Sequence, residues 1–227
     1  MKLSKIAAVA VCGLLISGVY AQNSRSETSV EDKYLTTIED SIVTELANAD
    51  DRDNKELALK YLENAAEGGE LSPDMHAALS KLAGEGITSE ARTNGRLVNN
   101  FPDIRARACN ILAQIHTEES KDTLKNIALK DNEPMVIAAA IRGLGEVGIN
   151  DNDEVVNAIA WAQKRSAILL PTSSLAYEVL DAYEKLSGTV KENKVMVQSI
   201  AEIASNQRYV TPVREKARLL LKNLQTR

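Results

Sequence analysis

The sequence predicts an all-α protein: an α-solenoid of about five helix pairs with an N-terminal capping helix. Three observations carry that expectation. First, all five prolines (Pro73, Pro102, Pro134, Pro171 and Pro212) open an apolar pattern of helical period, and they stand 29, 32, 37 and 41 residues apart. Proline suits the first turn of a helix, where its missing N–H has no partner to lose. Second, the offsets repeat. Ile104, Ala108, Leu112 and Ile115 follow Pro102, and Val136, Ala140, Leu144 and Val147 follow Pro134 at the same distances. Ala176, Leu180 and Tyr183 follow Pro171 one residue sooner, as do Val213, Ala217, Leu221 and Leu224 after Pro212; Met75, Ala78, Leu79 and Leu82 make a weaker copy after Pro73. An ordinary helical bundle would not need the offsets to recur, whereas periods of ~30–45 residues made of helix pairs mark stacked repeats. Third, aromatic residues make up 4% of the chain, alanine and leucine hold the expected core positions, and no run alternates with period two long enough to form a strand.

The chain divides into residues 1–21, 22–29 and 30–227. Lys2 and Lys5 precede an apolar run from residue 6 to 19, and Val19-Tyr20-Ala21 places small residues where a signal peptidase reads them. Residues 1–21 are therefore expected to be a secretory signal peptide, cleaved after Ala21 and directing the protein to the bacterial periplasm or the medium. The run falls short of the ~20 residues that span a bilayer, so no integral membrane span is expected after cleavage. Cys12 does not read as a lipidation site, because Val11 before it is bulky and the apolar run continues past it. Residues 22–29, polar and serine-rich, are expected to be a mobile leader, and residues 30–227 the solenoid domain.

Within that domain, Tyr34, Leu35, Ile38, Ile42, Val43 and Leu46 give residues 30–48 an apolar stripe, read as the capping helix. A first pair is expected over 54–67 and 73–84. A second begins near residue 88 with a thin stripe (Ala91, Leu97, Val98), weakened by Thr93-Asn94-Gly95, and continues after Pro102. The third covers 118–148. The fourth spans 152–166 and 172–187, joined by an unusually apolar connection, Ala167-Ile168-Leu169-Leu170. The fifth spans 192–205 and 212–225, its last helix the most charged, as suits a C-terminal cap.

Without residues 1–21 the chain carries 25 basic against 32 acidic residues, which argues against nucleic acid or an anionic membrane as a partner. It keeps one cysteine, Cys109, so no internal disulfide forms, and its place in an apolar helix predicts a buried, inert thiol.

Residues 124–148, LKNIALKDNEPMVIAAAIRGLGEVG, carry a helix, a sharp Asp131-Asn132-Glu133-Pro134 turn and a second helix with Ala140 and Leu144-Gly145. This unit resembles a HEAT repeat, particularly the short HEAT-like kind of the bilin-lyase relatives. The resemblance implies that Ala140 is small because helices pack closely around it, whereas Ala139 faces a different environment. It also implies a Val-Arg step in the second helices, present as Ile104-Arg105 and Val213-Arg214 but replaced by Val136-Ile137, with the arginine meeting the turn aspartate of a neighbouring unit. An Arg105–Asp131 contact is expected, and a ladder along the whole array is not. Enzymes of this fold that hold metal use repeated His-Glu pairs. Here His76 and His116 are followed by Ala77 and Thr117, so no metal, no cofactor and no catalytic residue is expected, and the chain reads as a non-enzyme.

What remains is a protein-binding module. The register places Arg107, Asn110, Gln114, Arg142, Glu146, Glu178, Asp181, Lys216 and Asn223 on the polar side of the second helices, as a partner-binding surface. Trp161, Ile168, Leu169 and Leu170 form an apolar set with two open roles, an interface anchor or a plug for the gap left by a longer fourth unit, the plug being preferred. The function expected is an adaptor or scaffold that binds a protein partner. Its alternative is a self-associating structural component of an envelope assembly, and an enzyme on the same scaffold is the remaining reading. Solution size separates the first two, since an adaptor should stay monomeric.

Overall fold

A computed structural model describes residues 30–225. The signal peptide and leader expected over 1–21 and 22–29 lie outside the described residues, as do residues 226 and 227. The described chain forms ten α-helices: α1 Val30–Asn48, α2 Arg52–Gly68, α3 Pro73–Ala83, α4 Pro102–Leu112, α5 Glu118–Lys130, α6 Pro134–Val147, α7 Glu154–Leu169, α8 Ser173–Leu186, α9 Lys194–Ser205 and α10 Thr211–Gln225. One short hairpin, β1 Arg92–Thr93 and β2 Arg96–Leu97, interrupts them.

The starts of the helices follow local chemistry. The side chains of Asp51, Ser72 and Thr117 accept from Asn54, Met75 and Ser120 N–H, capping α2, α3 and α5. The Asn150 Oδ1 accepts from Val155 and Val156 N–H at 3.2 and 3.3 Å and so opens α7. Pro73, Pro102 and Pro134 sit in first turns as their sequence position predicts.

The helices stack in two rows. The odd-numbered helices pack on one another in sequence, as do the even-numbered ones, and each odd helix also packs on the even helix that follows it. Five pairs result: α1/α2, α3/α4, α5/α6, α7/α8 and α9/α10. The core runs unbroken between the rows, through residues such as Leu59, Leu79, Leu112, Leu124, Leu144 and Ile200. Ala108, Ala140, Ala176 and Ala217, which share one place in the repeat register, are all fully buried on α4, α6, α8 and α10. From the third pair onward the expected phase holds.

In the N-terminal half the phase differs. The terminal helix α1 caps the array as the first member of a pair with α2, and α3 pairs with α4 instead of α2. Because α3 is an odd-row helix, the pattern after Pro73 matches the second-helix template only weakly. The helix expected near residue 88 does not form; the hairpin takes its place. Asn94 and Gly95 adopt φ of 52° and 79°, the left-handed pair that a two-residue hairpin turn demands and Asn-Gly supplies.

A buried polar network holds this insertion in register. Asn99 anchors the hairpin's base, donating to Ser89 O at 2.7 Å and accepting from Ala91 N–H at 2.9 Å. Beside it Lys55 meets Glu85 at 2.8 Å, with both side chains buried. Arg105 binds Asp131 at 2.7 Å, donates to Asn100 Oδ1 at 2.9 Å and reaches the Glu85 carbonyl at 3.3 Å. The expected Arg105–Asp131 pair is present, and it lies in the core, its side chains 2% and 1% exposed. Where Ile137 replaces the next arginine, Arg165 of α7 reaches the same corner, donating to the carbonyls of Leu129 and Asp131.

Two more expectations change. The connection expected over 167–170 is helical through Leu169. Ala139, expected to face a different environment from Ala140, is buried as well, because α6 touches α4, α5 and α8 and leaves only Met135, Arg142 and Glu146 exposed. Gly145 marks a close approach between helices: a Cβ there would stand 2.8 Å from the Ala182 Cα of α8.

Candidate functional site

The even-numbered helices present one polar strip, held by ion pairs that cross from each helix to the next. Arg107 of α4 pairs with Glu63 of α2. Arg142 of α6 makes a two-pronged contact with Glu178 of α8, at 3.0 and 2.7 Å, and reaches Asn110 of α4 at 3.5 Å. Glu146 of α6 accepts from Lys185 of α8 at 2.6 Å. Lys185 and Lys216 of α10 both engage Asp181, at 2.9 and 3.1 Å. Lys216 also lies 4.1 Å from the centre of the Tyr177 ring. Burial works against the charge of Asp181, yet hydrogen bonds from Lys185 and Lys216 hold its carboxyl below the usual carboxylate range.

Eight of the nine residues expected on this surface therefore lie along it, seven of them in the ladder or its hydrogen bonds. Gln114 instead lines a shallow groove of about 480 Å³ with Asn110, Ala113, His116, Arg142 and Glu146. Asn223, the ninth, is exposed on α10 and has a polar interaction of its own. Sequence reasoning missed Glu63, Lys185 and Tyr177. Glu63 was hidden by the phase of the first pair, which assigned α2 to the other row. Lys185 was legible, four residues after Asp181 on one helix face.

The strip's ion pairs set four cations (Arg107, Arg142, Lys185, Lys216) against five anions (Glu63, Glu146, Glu178, Asp181 and, 3.8 Å from Lys216, Glu184), so its charges nearly cancel. Pairs this exposed contribute little to stability, roughly 0–1 kcal/mol each. Their two-pronged and shared geometry fixes the register of one helix against the next.

The apolar set lies on the other row. Trp161 is 51% exposed and Ile168 and Leu169 are each 70% exposed, so the set does not plug a gap. Trp161, Arg165 and Ile168 stand on one face of α7, with the Arg165 guanidinium 4.9 Å from the Trp161 ring centre. The same guanidinium is held by the carbonyls that end α5, so the ring rests on a fixed support.

The remaining chemistry-bearing side chains are engaged separately. His76 Nε2 lies 3.0 Å from Ser120 Oγ, and its Nδ1 faces Glu119 at 3.3 Å without hydrogen-bond alignment. His116 Nδ1 lies 3.5 Å from the Val147 carbonyl. Burial, reinforced by the nearby Asp131, pushes the Cys109 thiol up to about 12, so it is inert at neutral pH. Among the described residues no three His, Cys, Asp or Glu side chains converge as a metal site would need, and no helix is long and apolar enough to cross a membrane.

Residues 90–166, from the hairpin through most of α7, match the family model of HEAT repeats. Over those residues the chain is similar to HEAT repeats. No curated protein and no solved structure matches the chain. HEAT repeats are commonly protein-interaction scaffolds, and the two-row stack described here, with one face of ordered polar side chains, is an architecture suited to that work.

Proposed function

We propose that the protein is a non-enzymatic adaptor or scaffold of the bacterial cell envelope that holds a protein partner on the strip of its even-numbered helices. The observation that carries this reading is the ion-pair ladder, its charges nearly cancelled within the strip, beside the Asn110–Gln114–Arg142 groove. A surface whose charges are already nearly balanced offers hydrogen bonds and shape to a polypeptide and little attraction to a polyanion. The envelope location rests on the signal-like pattern of residues 1–21, and intact-mass measurement on the native protein tests it by a mature N-terminus at Gln22.

The binding reading is tested by affinity capture from envelope extract with three forms of the chain: unaltered, Arg142→Glu with Gln114→Glu, and Trp161→Ala. A partner retained by the unaltered chain and Trp161→Ala, and lost by the double variant, supports it. Loss confined to Trp161→Ala would move docking to the α7 patch, and retention by none would leave the adaptor reading without support.

A further inference from the structure

The two ends of the array differ in a way that the ladder does not use. At the first end, Leu35, Ile38 and Ile42 of α1 and Leu57 and Tyr61 of α2 are exposed, whereas Val43, Leu59 and Leu62 of the same helices are buried. Leu35, Tyr61 and Ala65 line a groove of about 680 Å³ whose rim holds Glu39 and Glu70. Residues 30–68 contain eleven acidic and four basic side chains. At the other end the balance reverses: residues 191–225 contain seven basic and three acidic side chains. Exposed Leu219 stands beside Arg218 on α10.

Inside the chain, neighbouring even helices are joined by cross-helix ion pairs over an apolar seam, as in Glu63–Arg107, Arg142–Glu178 and Asp181–Lys216. The ends carry the two halves of one further joint of this kind. Among the described residues, Glu39, Glu67 and Glu70 pair with no cation, and Arg214 and Arg218 pair with no carboxylate. We infer that a second copy of this chain docks head to tail, the basic α10 end of one copy against the acidic, apolar α1/α2 end of the next, so that copies continue the two rows. A head-to-head dimer would instead oppose two acidic faces, which like-charge repulsion disfavours. The contact is heterologous, so it leaves an open end at each step and permits growth beyond a dimer. It does not rest on the partner-binding reading. Because it uses the ends, it leaves the ladder strip uncovered; head-to-tail copies could still hold a partner there, so solution size alone does not separate an adaptor from a structural component, contrary to the sequence-based expectation.

Sedimentation velocity on the full chain as isolated, over a roughly hundredfold concentration range, tests the inference. The average mass should rise past that of a dimer and fall back as salt is raised to ~0.5 M. Tyr61→Lys blocks the head and Arg214→Glu with Arg218→Glu blocks the tail. Each should weaken association by roughly tenfold or more while circular dichroism shows unchanged helix content. The decisive result is the mixture: each variant keeps one intact end, so together they should form a one-to-one dimer and stop there. A wild-type chain that stays monomeric would overturn the inference, and so would a dimer untouched by the α10 variant, which is the head-to-head arrangement. Association that appears only after residues 1–29 are removed would overturn it for the intact protein, since the chain's own leading residues would then occupy the face.

Discussion

Helices α6 and α1 read alike in the sequence, each as an amphipathic stripe, and the stack treats them oppositely. α6 has neighbours on three sides and buries ten of its residues, including Ala138, Ala139 and Ala140. α1 touches only α2 and α3, and four of its large apolar residues (Tyr34, Leu35, Ile38 and Ile42) remain exposed. Burial in a stack thus follows the number of neighbours as much as the stripe itself. Small residues gather where three helices converge, because only they permit the close approach seen at Gly145. Large aliphatic residues persist at an end that no further repeat covers.

The largest expected effect lies at the corner that launches α6. Asp131→Ala would leave the Arg105 guanidinium buried without its carboxylate, and loss of one partner from a buried pair costs about 3–5 kcal/mol. Urea unfolding should show that drop. The double replacement Arg105→Met with Asp131→Leu should recover most of it, since a packed apolar pair removes the stranded charge. At the edge, Arg52 pairs with Asp103 in the open, and Arg52→Ala should leave the midpoint within error. Comparable losses at both places would mean that the centre is no better packed than the edge.

Next in size come the alanines of α6. Ala140→Leu should cost ~1–3 kcal/mol by forcing helices apart. Ala139→Gln should cost a similar amount, since it brings an amide into a site with little room for a hydrogen-bond partner. A mild Ala139→Gln would restore the view that only one side of α6 is packed.

The second helices after Pro102, Pro134, Pro171 and Pro212 were legible because each carries a buried alanine and apolar positions at fixed offsets from a proline, although Pro171 lies just before α8 and not in its first turn. The Arg105–Asp131 pair was legible from the repeat unit, though its burial was not, since the guanidinium is also met by the Glu85 carbonyl and the Asn100 side chain, on either side of the hairpin. That hairpin was hidden by its thin stripe, Ala91, Leu97 and Val98, which fits no helix and is too short for a strand pattern; Asn94-Gly95 was its one clear signal. Taking residues 88–99 for a helix then shifted the pairing of everything before it. Of the candidate surface, the positions on α4, α6, α8 and α10 followed from register, whereas the ion pairs joining them depend on how far each helix is offset from the next.

Acid should loosen the contact between α5 and α7 within the odd-numbered row. Glu154 of α7 accepts from Lys121 and Lys125 of α5 at 2.6 and 2.9 Å, and these bonds hold its carboxyl below the usual range. A carboxyl depressed in the folded state contributes stability above its unfolded pKa and loses it as pH falls through the folded value. Glu154→Gln should therefore be less stable than the unaltered chain at neutral pH, and the two should converge as pH drops through and below the carboxylate range. A gap constant with pH would assign the loss to packing instead of charge.

The smallest effect is expected at the exposed face of α1, and its smallness is what gives it value. Leu35→Ser and Ile42→Ser replace side chains that are about half exposed, so little apolar area leaves the core and the unfolding free energy should change by no more than ~0.5 kcal/mol. Val136→Ser, on the buried face of α6, removes a fully covered side chain and adds a hydroxyl to an apolar site, and should cost several times as much. If the α1 substitutions are neutral in dilute solution, residues that add nothing to the stability of the single chain still keep a continuous apolar stripe. If they become costly as protein concentration rises, the missing neighbour of α1 is supplied from outside the chain. A large loss in dilute solution would place that neighbour within the chain itself, and α1 would then be packed more like α6 than its position at the end of the row suggests.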